Sequence, residues 1–230
     1  MTDNVPDLAR KVAAELIGTA FLVAAVVGSG IAAARLSPDD VGLQLLENSL
    51  ATGAVLLALI LTLQPVSASF NPVVTLVEAA LRMISPRVAV LLGAAQVVGG
   101  ALGAVVANLM FDLDAITFST TDRTGPNLWL GEVVATFGLV LVVFGAIRSG
   151  RTQTVAYAVA GYITAAYWFT SSTSFANPAV TIARMLSDTF AGIDPTAVPM
   201  FVLMQAVGGA LAYGAVRVLY PRVAADARLS

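Results

Sequence analysis

Asn71-Pro72-Val73-Val74-Thr75 returns as Asn177-Pro178-Ala179-Val180-Thr181 in the second half of this 230-residue chain. The first copy follows the polar, irregular stretch Gln64-Pro65-Val66-Ser67-Ala68-Ser69-Phe70, and the second follows Ser171-Ser172-Thr173-Ser174-Phe175-Ala176. Each runs into a short apolar segment of helical pattern, Val73 to Leu81 and Ala179 to Leu186. Proline suits the first helical position, where its missing N–H costs nothing, and asparagine suits the N-cap before it. One Asn-Pro reads as a surface turn. Two in the same context read as the starts of two short helices.

The repetition continues outward. Gln96-Val97-Val98-Gly99-Gly100-Ala101-Leu102 is echoed by Gln205-Ala206-Val207-Gly208-Gly209-Ala210-Leu211, and Glu15, four residues before Thr19, by Glu132, four before Thr136. The chain is 58% hydrophobic and 11% charged, against about 25% charged in soluble domains. Apolar stretches of about 20 residues read as membrane spans, and six are present, at roughly 12–34, 44–63, 87–110, 128–147, 153–170 and 198–220. They are too long and too uniform for barrel strands. The expected fold is an all-α membrane protein of six transmembrane helices and two half-helices. It forms a single domain over 1–230, with inverted repeats at about 10–110 and 127–222. The first apolar stretch is too long for a signal-peptide core and reads as a retained helix.

A half-helix cannot cross a bilayer, and irregular backbone at membrane depth survives only inside protein or beside a wet cavity. Two half-helices dipping in from opposite faces can meet N-terminus to N-terminus, which brings their positive dipole ends together beside the two asparagines. Lys and Arg set the orientation. With both termini cytoplasmic, Arg10, Lys11, Arg82, Arg87, Arg148, Arg151, Arg217, Arg222 and Arg228 lie inside, and only Arg35, Arg123 and Arg184 outside.

The chain has no cysteine and no histidine. It therefore has no disulfide, thiol nucleophile, thiolate metal site, imidazole ligand or imidazole base. No metal, cofactor or enzymatic activity is expected. The net charge of −2, without a basic run, gives no reason to expect nucleic acid as a partner. The paired Gly-Gly segments, including Gly99, Gly100, Gly103, Gly208, Gly209 and Gly214, read as close helix packing, as does Gly28-Ser29-Gly30. Tyr157, Tyr162, Tyr167, Trp168 and Phe169 read first as an interfacial belt.

On these residues the chain resembles the aquaporin, or major intrinsic protein, family over about residues 10–222. The family's paired Asn-Pro-Ala boxes match Asn71-Pro72-Val73, with valine in place of alanine, and Asn177-Pro178-Ala179. Its glutamates in the first and fourth spans match Glu15 and Glu132. The resemblance implies a right-handed bundle with a pore in each protomer, a homotetramer in the plasma or inner membrane, contact with membrane lipid, and passive passage of small uncharged solutes. It makes Glu15 and Glu132 structural, each accepting hydrogen bonds from the loop that leads into a half-helix. Physically, amide N–H groups of Asn71 and Asn177 donating to one solute oxygen would interrupt a proton wire, and the converging dipoles would oppose cations.

Water-selective members narrow the outer mouth with a fifth-span histidine and an arginine directly after the second box. Here the chain has no histidine, and that position is Val180. The second-span filter position falls at or next to Thr52, the loop contributes Ser174, and the fifth span offers residues from Ala165 to Trp168, of which Tyr167 and Trp168 are nearest the mouth. Ser172 to Arg184 looks like the bacterial subgroup associated with arsenic resistance, which implies neutral metalloid acids such as arsenite, glycerol-like solutes and water. One alternative is a water-selective channel. Another is an ion-coupled transporter with inverted repeats, for which Glu15 and Glu132 would be the coupling acids.

Overall fold

The structure, a computed structural model, describes residues 5–221, with side chains from residue 7 onward. Its elements are α1 (Val5–Leu36), α2 (Val41–Leu63), α3 (Pro72–Ala80), α4 (Pro86–Met110), α5 (Pro126–Arg148), a single 3₁₀ turn (Thr152–Thr154), α6 (Val155–Phe169), α7 (Pro178–Arg184) and α8 (Val198–Leu219). No strand occurs among the described residues.

Sequence punctuation explains the starts. Proline occupies the first turn of α3, α4, α5, α7 and α8. Asp40 caps α2 by accepting from Leu43 N at 2.9 Å, and Ser85 caps α4 by accepting from Val88 N at 3.3 Å. Helices α1, α2, α4, α5 and α8 are long and apolar enough to cross a membrane. The expected fifth span is α6, which has 15 helical residues preceded by the 3₁₀ turn and is the shortest of the six. At 1.5 Å per residue, α3 and α7, of nine and seven residues, reach far less than the ~30 Å hydrocarbon thickness.

The bundle is held by two principal helix pairs, α1 with α4 and α5 with α8. Both approach closely enough to exclude a Cβ. A methyl on Gly99 or Gly103 would strike the Leu16 or Ala20 carbonyl of α1, and one on Gly208 would strike the Val133 carbonyl of α5. Gly28 and Gly30 face Phe111 and Ala191. Gly214 differs from expectation, since open space surrounds it. It lies on the exposed face of α8, off the buried stripe of Gln205, Gly208, Gly209, Ala212 and Val216.

Large apolar side chains cover the outside, among them Phe21, Val90 and Leu130, each more than 60% exposed. Polar side chains gather within: Glu15, Thr19, Gln96, Glu132, Thr136 and Gln205 are fully buried. This inversion suits a solvent of lipid tails, which rewards apolar surface and requires polar groups to find partners inside. Tyr157, Trp168 and Phe169 lie on the exterior as an interfacial belt would, whereas Tyr162 donates to the Ala135 carbonyl at 3.0 Å and Tyr167 is buried. Of the twelve basic residues, Arg222 and Arg228 lie outside the described residues. Arg184, expected in an outer connection, is 2% exposed and ends α7 within the bundle.

Candidate functional site

The two half-helices meet at their N-termini and are tied together by their asparagines. Asn71 Oδ1 accepts from Val73 N at 3.0 Å, and Asn177 Oδ1 accepts from Ala179 N at 3.0 Å and Val180 N at 3.3 Å. Each side-chain oxygen thus caps its own helix. Asn71 Nδ2 donates to the Ala176 carbonyl at 2.7 Å, and Asn177 Nδ2 donates to the Phe70 carbonyl at 2.7 Å. An amide NH₂ has two N–H groups. One on each asparagine crosses to the other half-helix, and one remains for the cavity that both residues line.

The carbonyls that receive these bonds are aimed by unusual backbone. Phe70 and Ala176 have φ of 47° and 50°, in the left-handed region that non-glycine residues avoid. Such strain costs about 1–3 kcal/mol per residue and persists only where the surroundings enforce it. The two glutamates provide that enforcement. Glu15 Oε1 accepts from Ser69 N at 2.9 Å and Ser67 Oγ at 2.5 Å, and its Oε2 accepts from Phe70 N at 2.7 Å. Glu132 accepts from Phe175 N and Ala176 N, both at 2.9 Å.

A second tier of side chains, not singled out by the sequence pattern, backs the glutamates. Gln96 Nε2 donates to Glu15 at 2.8 Å and to Thr75 Oγ1 at 2.9 Å. Gln205 Nε2 repeats this toward Glu132 at 2.5 Å and Thr181 Oγ1 at 2.8 Å. A signal exists in the sequence. Both glutamines head the repeated glycine segments, and both threonines stand four residues after the box asparagines.

A cavity of about 310 Å³ passes the asparagine pair. At one end it is lined by Lys11, Gln64, Glu78 and Thr152, and at the other by Thr52, Tyr167, Ser174, Val180 and Arg184. Between them the wall is built from one side of four helices: Leu22 and Val26 of α1, Leu56 and Ile60 of α2, Leu139 and Val143 of α5, and Val159 and Ile163 of α6. The spacing of four repeats in every case, because residues four apart share a helix face. Of the expected filter residues, Thr52, Tyr167, Ser174 and Val180 come together. Thr52 Oγ1 and the Tyr167 hydroxyl lie 3.0 Å apart, joining α2 to α6, and the buried Ser174 hydroxyl has no protein partner.

Of the other expected site residues, Trp168, Val73, Ala179 and the two box prolines do not line the cavity, and Ala179 is fully buried. Trp168 is half exposed on the far side of α6, its indole N–H donating to Ser49 Oγ at 3.2 Å. The stripe Val155, Val159, Ile163, Tyr167 selects Tyr167 by phase and turns its neighbour outward. Val73 does not line the cavity. It packs against α8, where a Cβ on Gly209 would collide with Val73 Cγ1. The valine in the first box is therefore matched by a missing side chain on α8, and it alters packing rather than the lumen. The prolines Pro72 and Pro178 start their helices as expected.

An all-helical membrane protein with two half-helices meeting inside it, beside a cavity walled by its long helices, has the architecture of a channel. Residues 3–154 match the family described as Major intrinsic protein. Aquaglyceroporin AqpS of Rhizobium meliloti (strain 1021) is 49% identical over 212 residues, covering 92% of this chain and 90% of that protein. The X-ray structure of the aquaglyceroporin from Plasmodium falciparum superposes with a TM-score of 0.72 at 17% identity, covering 93% of this chain and 98% of that one, and shares the fold. This chain belongs to the major intrinsic protein family, whose members are membrane channels for small uncharged solutes.

Proposed function

We propose that this protein is a passive channel for uncharged hydroxylated solutes larger than water, glycerol-like polyols and neutral metalloid acids such as arsenous acid among them, with water passing as well. The observation that carries the reading is the mouth formed by Thr52, Tyr167, Ser174 and Val180. An aliphatic side chain stands at the position where water-selective members carry arginine, and three hydroxyl-bearing residues line the cavity with it. The similarity to a protein named as an aquaglyceroporin supports the same reading.

In this reading Asn71 and Asn177 donate their remaining N–H groups to a solute oxygen, and Glu15 and Glu132 hold the loops before the half-helices without moving protons. Each glutamate is occupied by three or four donors, which supports buttressing over ion coupling. The chain works as a homotetramer in the plasma or inner membrane, with both termini cytoplasmic and the α7 end of the cavity outside. Its two inverted repeats span about 10–110 and 127–222, and it catalyses no reaction.

Stopped-flow light scattering of one proteoliposome preparation tests this directly. Glycerol and arsenous acid should permeate well above the empty-liposome rate, unchanged by imposed proton or sodium gradients. Passage of water alone would establish a water-selective channel, and flux driven by an ion gradient would establish a coupled transporter.

A further inference from the structure

Arg184 is the one cationic side chain at the α7 end of the cavity, and it lies one helical turn beyond Val180 on the same face of α7. It is 2% exposed. Its guanidinium carbon sits 3.4 Å from the centre of the Phe175 ring, and its Nε donates to the Ala191 carbonyl. Phe175 is braced in turn by Phe201, edge-on at 5.3 Å. These contacts fix the group from behind. Among the described residues its Nη groups have no protein acceptor, and no carboxylate lies within ion-pair distance of it. The one ion pair among the described residues joins Lys11 to Asp7 at 3.1 Å, at the opposite end of the cavity.

A buried cation without a counter-ion is costly and is ordinarily paired. Here one neighbour raises the local positive charge, while the buried Glu132 carboxylate lies within electrostatic reach of both arginines and offsets part of it. Arg123 stands 4.9 Å from the same Phe175 ring and donates to the Gly192 carbonyl at 2.8 Å. The acids of the surrounding loops have other donors, Asp122 with Thr124 and Asp194 with Thr196 in their own loops, and Asp188 with Thr120 across to the loop after α4. Ser174 lines the same cavity, and its buried hydroxyl has no protein partner.

We infer that Arg184 is the charge filter of this channel, displaced outward by one helical turn from Val180, so that size and charge are selected at different depths. At Val180 the opening is set by aliphatic bulk. At Arg184 a fixed guanidinium repels cations and offers Nη donors to the oxygens of an uncharged solute. A wide mouth can then stay closed to cations. This inference rests on the channel reading above.

The chain contains no cysteine, so Arg184→Cys carries a unique thiol. In proteoliposomes, Tl⁺ influx is followed by quenching of a trapped dye while glycerol uptake is followed by light scattering. Arg184→Cys should admit Tl⁺ on the order of a hundredfold faster than wild type, the effect of one unit charge acting over about 6 Å at an effective dielectric of about 20. Modification with 2-aminoethyl methanethiosulfonate, which restores a cation, should return the leak toward wild type. The neutral methyl reagent should not. A folded Arg184→Cys that excludes Tl⁺ as well as wild type does, or a leak that both reagents close equally, overturns the inference. If the cysteine variant does not fold, Arg184→Lys decides: it should exclude Tl⁺, and a folded lysine variant that leaks contradicts the proposal. Wild-type glycerol flux in the same vesicles judges the channel reading separately, since its absence would defeat that reading while the Tl⁺ comparison still judges Arg184.

Discussion

The two half-helices begin alike and end with opposite charge. At the start of α3 and α7 the same plan is repeated: an asparagine capping its own helix and reaching the other, a left-handed residue before it, a glutamate holding that residue, and a glutamine joining the glutamate to a threonine. Seven positions after the asparagine the symmetry ends, with Glu78 on α3 and Arg184 on α7, both lining the cavity. Glu78 accepts from Ser69 Oγ at 3.1 Å, and Lys11 lines the same end. Arg184 is stacked on Phe175 and has no acid partner among the described residues. The shared part performs the shared task of joining two strained loops at the middle of the bundle. The unshared part faces the two mouths, where the demands differ.

The comparison is most easily broken at the glutamates. Glu15→Gln and Glu132→Gln each replace acceptors with a donor facing backbone N–H groups, and each should cost on the order of 3 kcal/mol or more. The expected result is loss of folded protein, read by size-exclusion thermostability. If the two loops are equivalent, both variants should fail alike. A stable Glu15→Gln protein that has lost only gradient-dependent transport would instead make Glu15 a coupling acid.

The Val73 and Ala179 pair offers a sharper test. Gly209→Ala should destabilise by about 1–3 kcal/mol through its clash with Val73. The same change in a Val73→Ala background should be largely relieved, because the colliding methyl groups are gone, and the cycle measures that coupling. Solute permeability of folded Val73→Ala should stay at the wild-type level, since Val73 does not line the cavity. A changed selectivity would show that the first box shapes the lumen after all.

Smaller effects belong to the mouth. Tyr167→Phe removes the hydroxyl pair with Thr52 and should cost about 1 kcal/mol in thermal stability. Trp168→Phe should leave solute selectivity unchanged, because Trp168 lies outside the cavity. An altered glycerol-to-water ratio in Trp168→Phe would return that residue to the filter.

The paired asparagines, the glutamates and the short helices are legible in the sequence because each is a local signature stated twice. Val73 to Leu81 and Ala179 to Leu186, read from pattern alone, lie within two residues of α3 and α7 at both ends. What is not legible depends on helix phase or on distant partners. Tyr167 and Trp168 differ by one position, and only the stripe beginning at Val155 separates them. Val73 reads as a change in the lumen until Gly209 is seen opposite it. Arg184 reads as a loop charge because a buried guanidinium is recognised by what surrounds it, and Phe175 and Ala191 come to it only in the folded chain. Gln96 and Gln205 are hidden by the glycines beside them, whose packing role is genuine.

The central claim, that Val180 leaves the mouth open to solutes larger than water, is tested most directly by Val180→Arg in proteoliposomes. Water, glycerol and arsenous acid permeabilities are measured on wild type and variant at matched protein content. The account predicts that wild type passes at least one of the two larger solutes, and that the variant loses their flux on the order of tenfold, well beyond any loss of water flux, through added bulk and unmatched desolvation at the constriction. Wild-type conduction of water alone, or larger-solute flux unaffected by Val180→Arg, would contradict it.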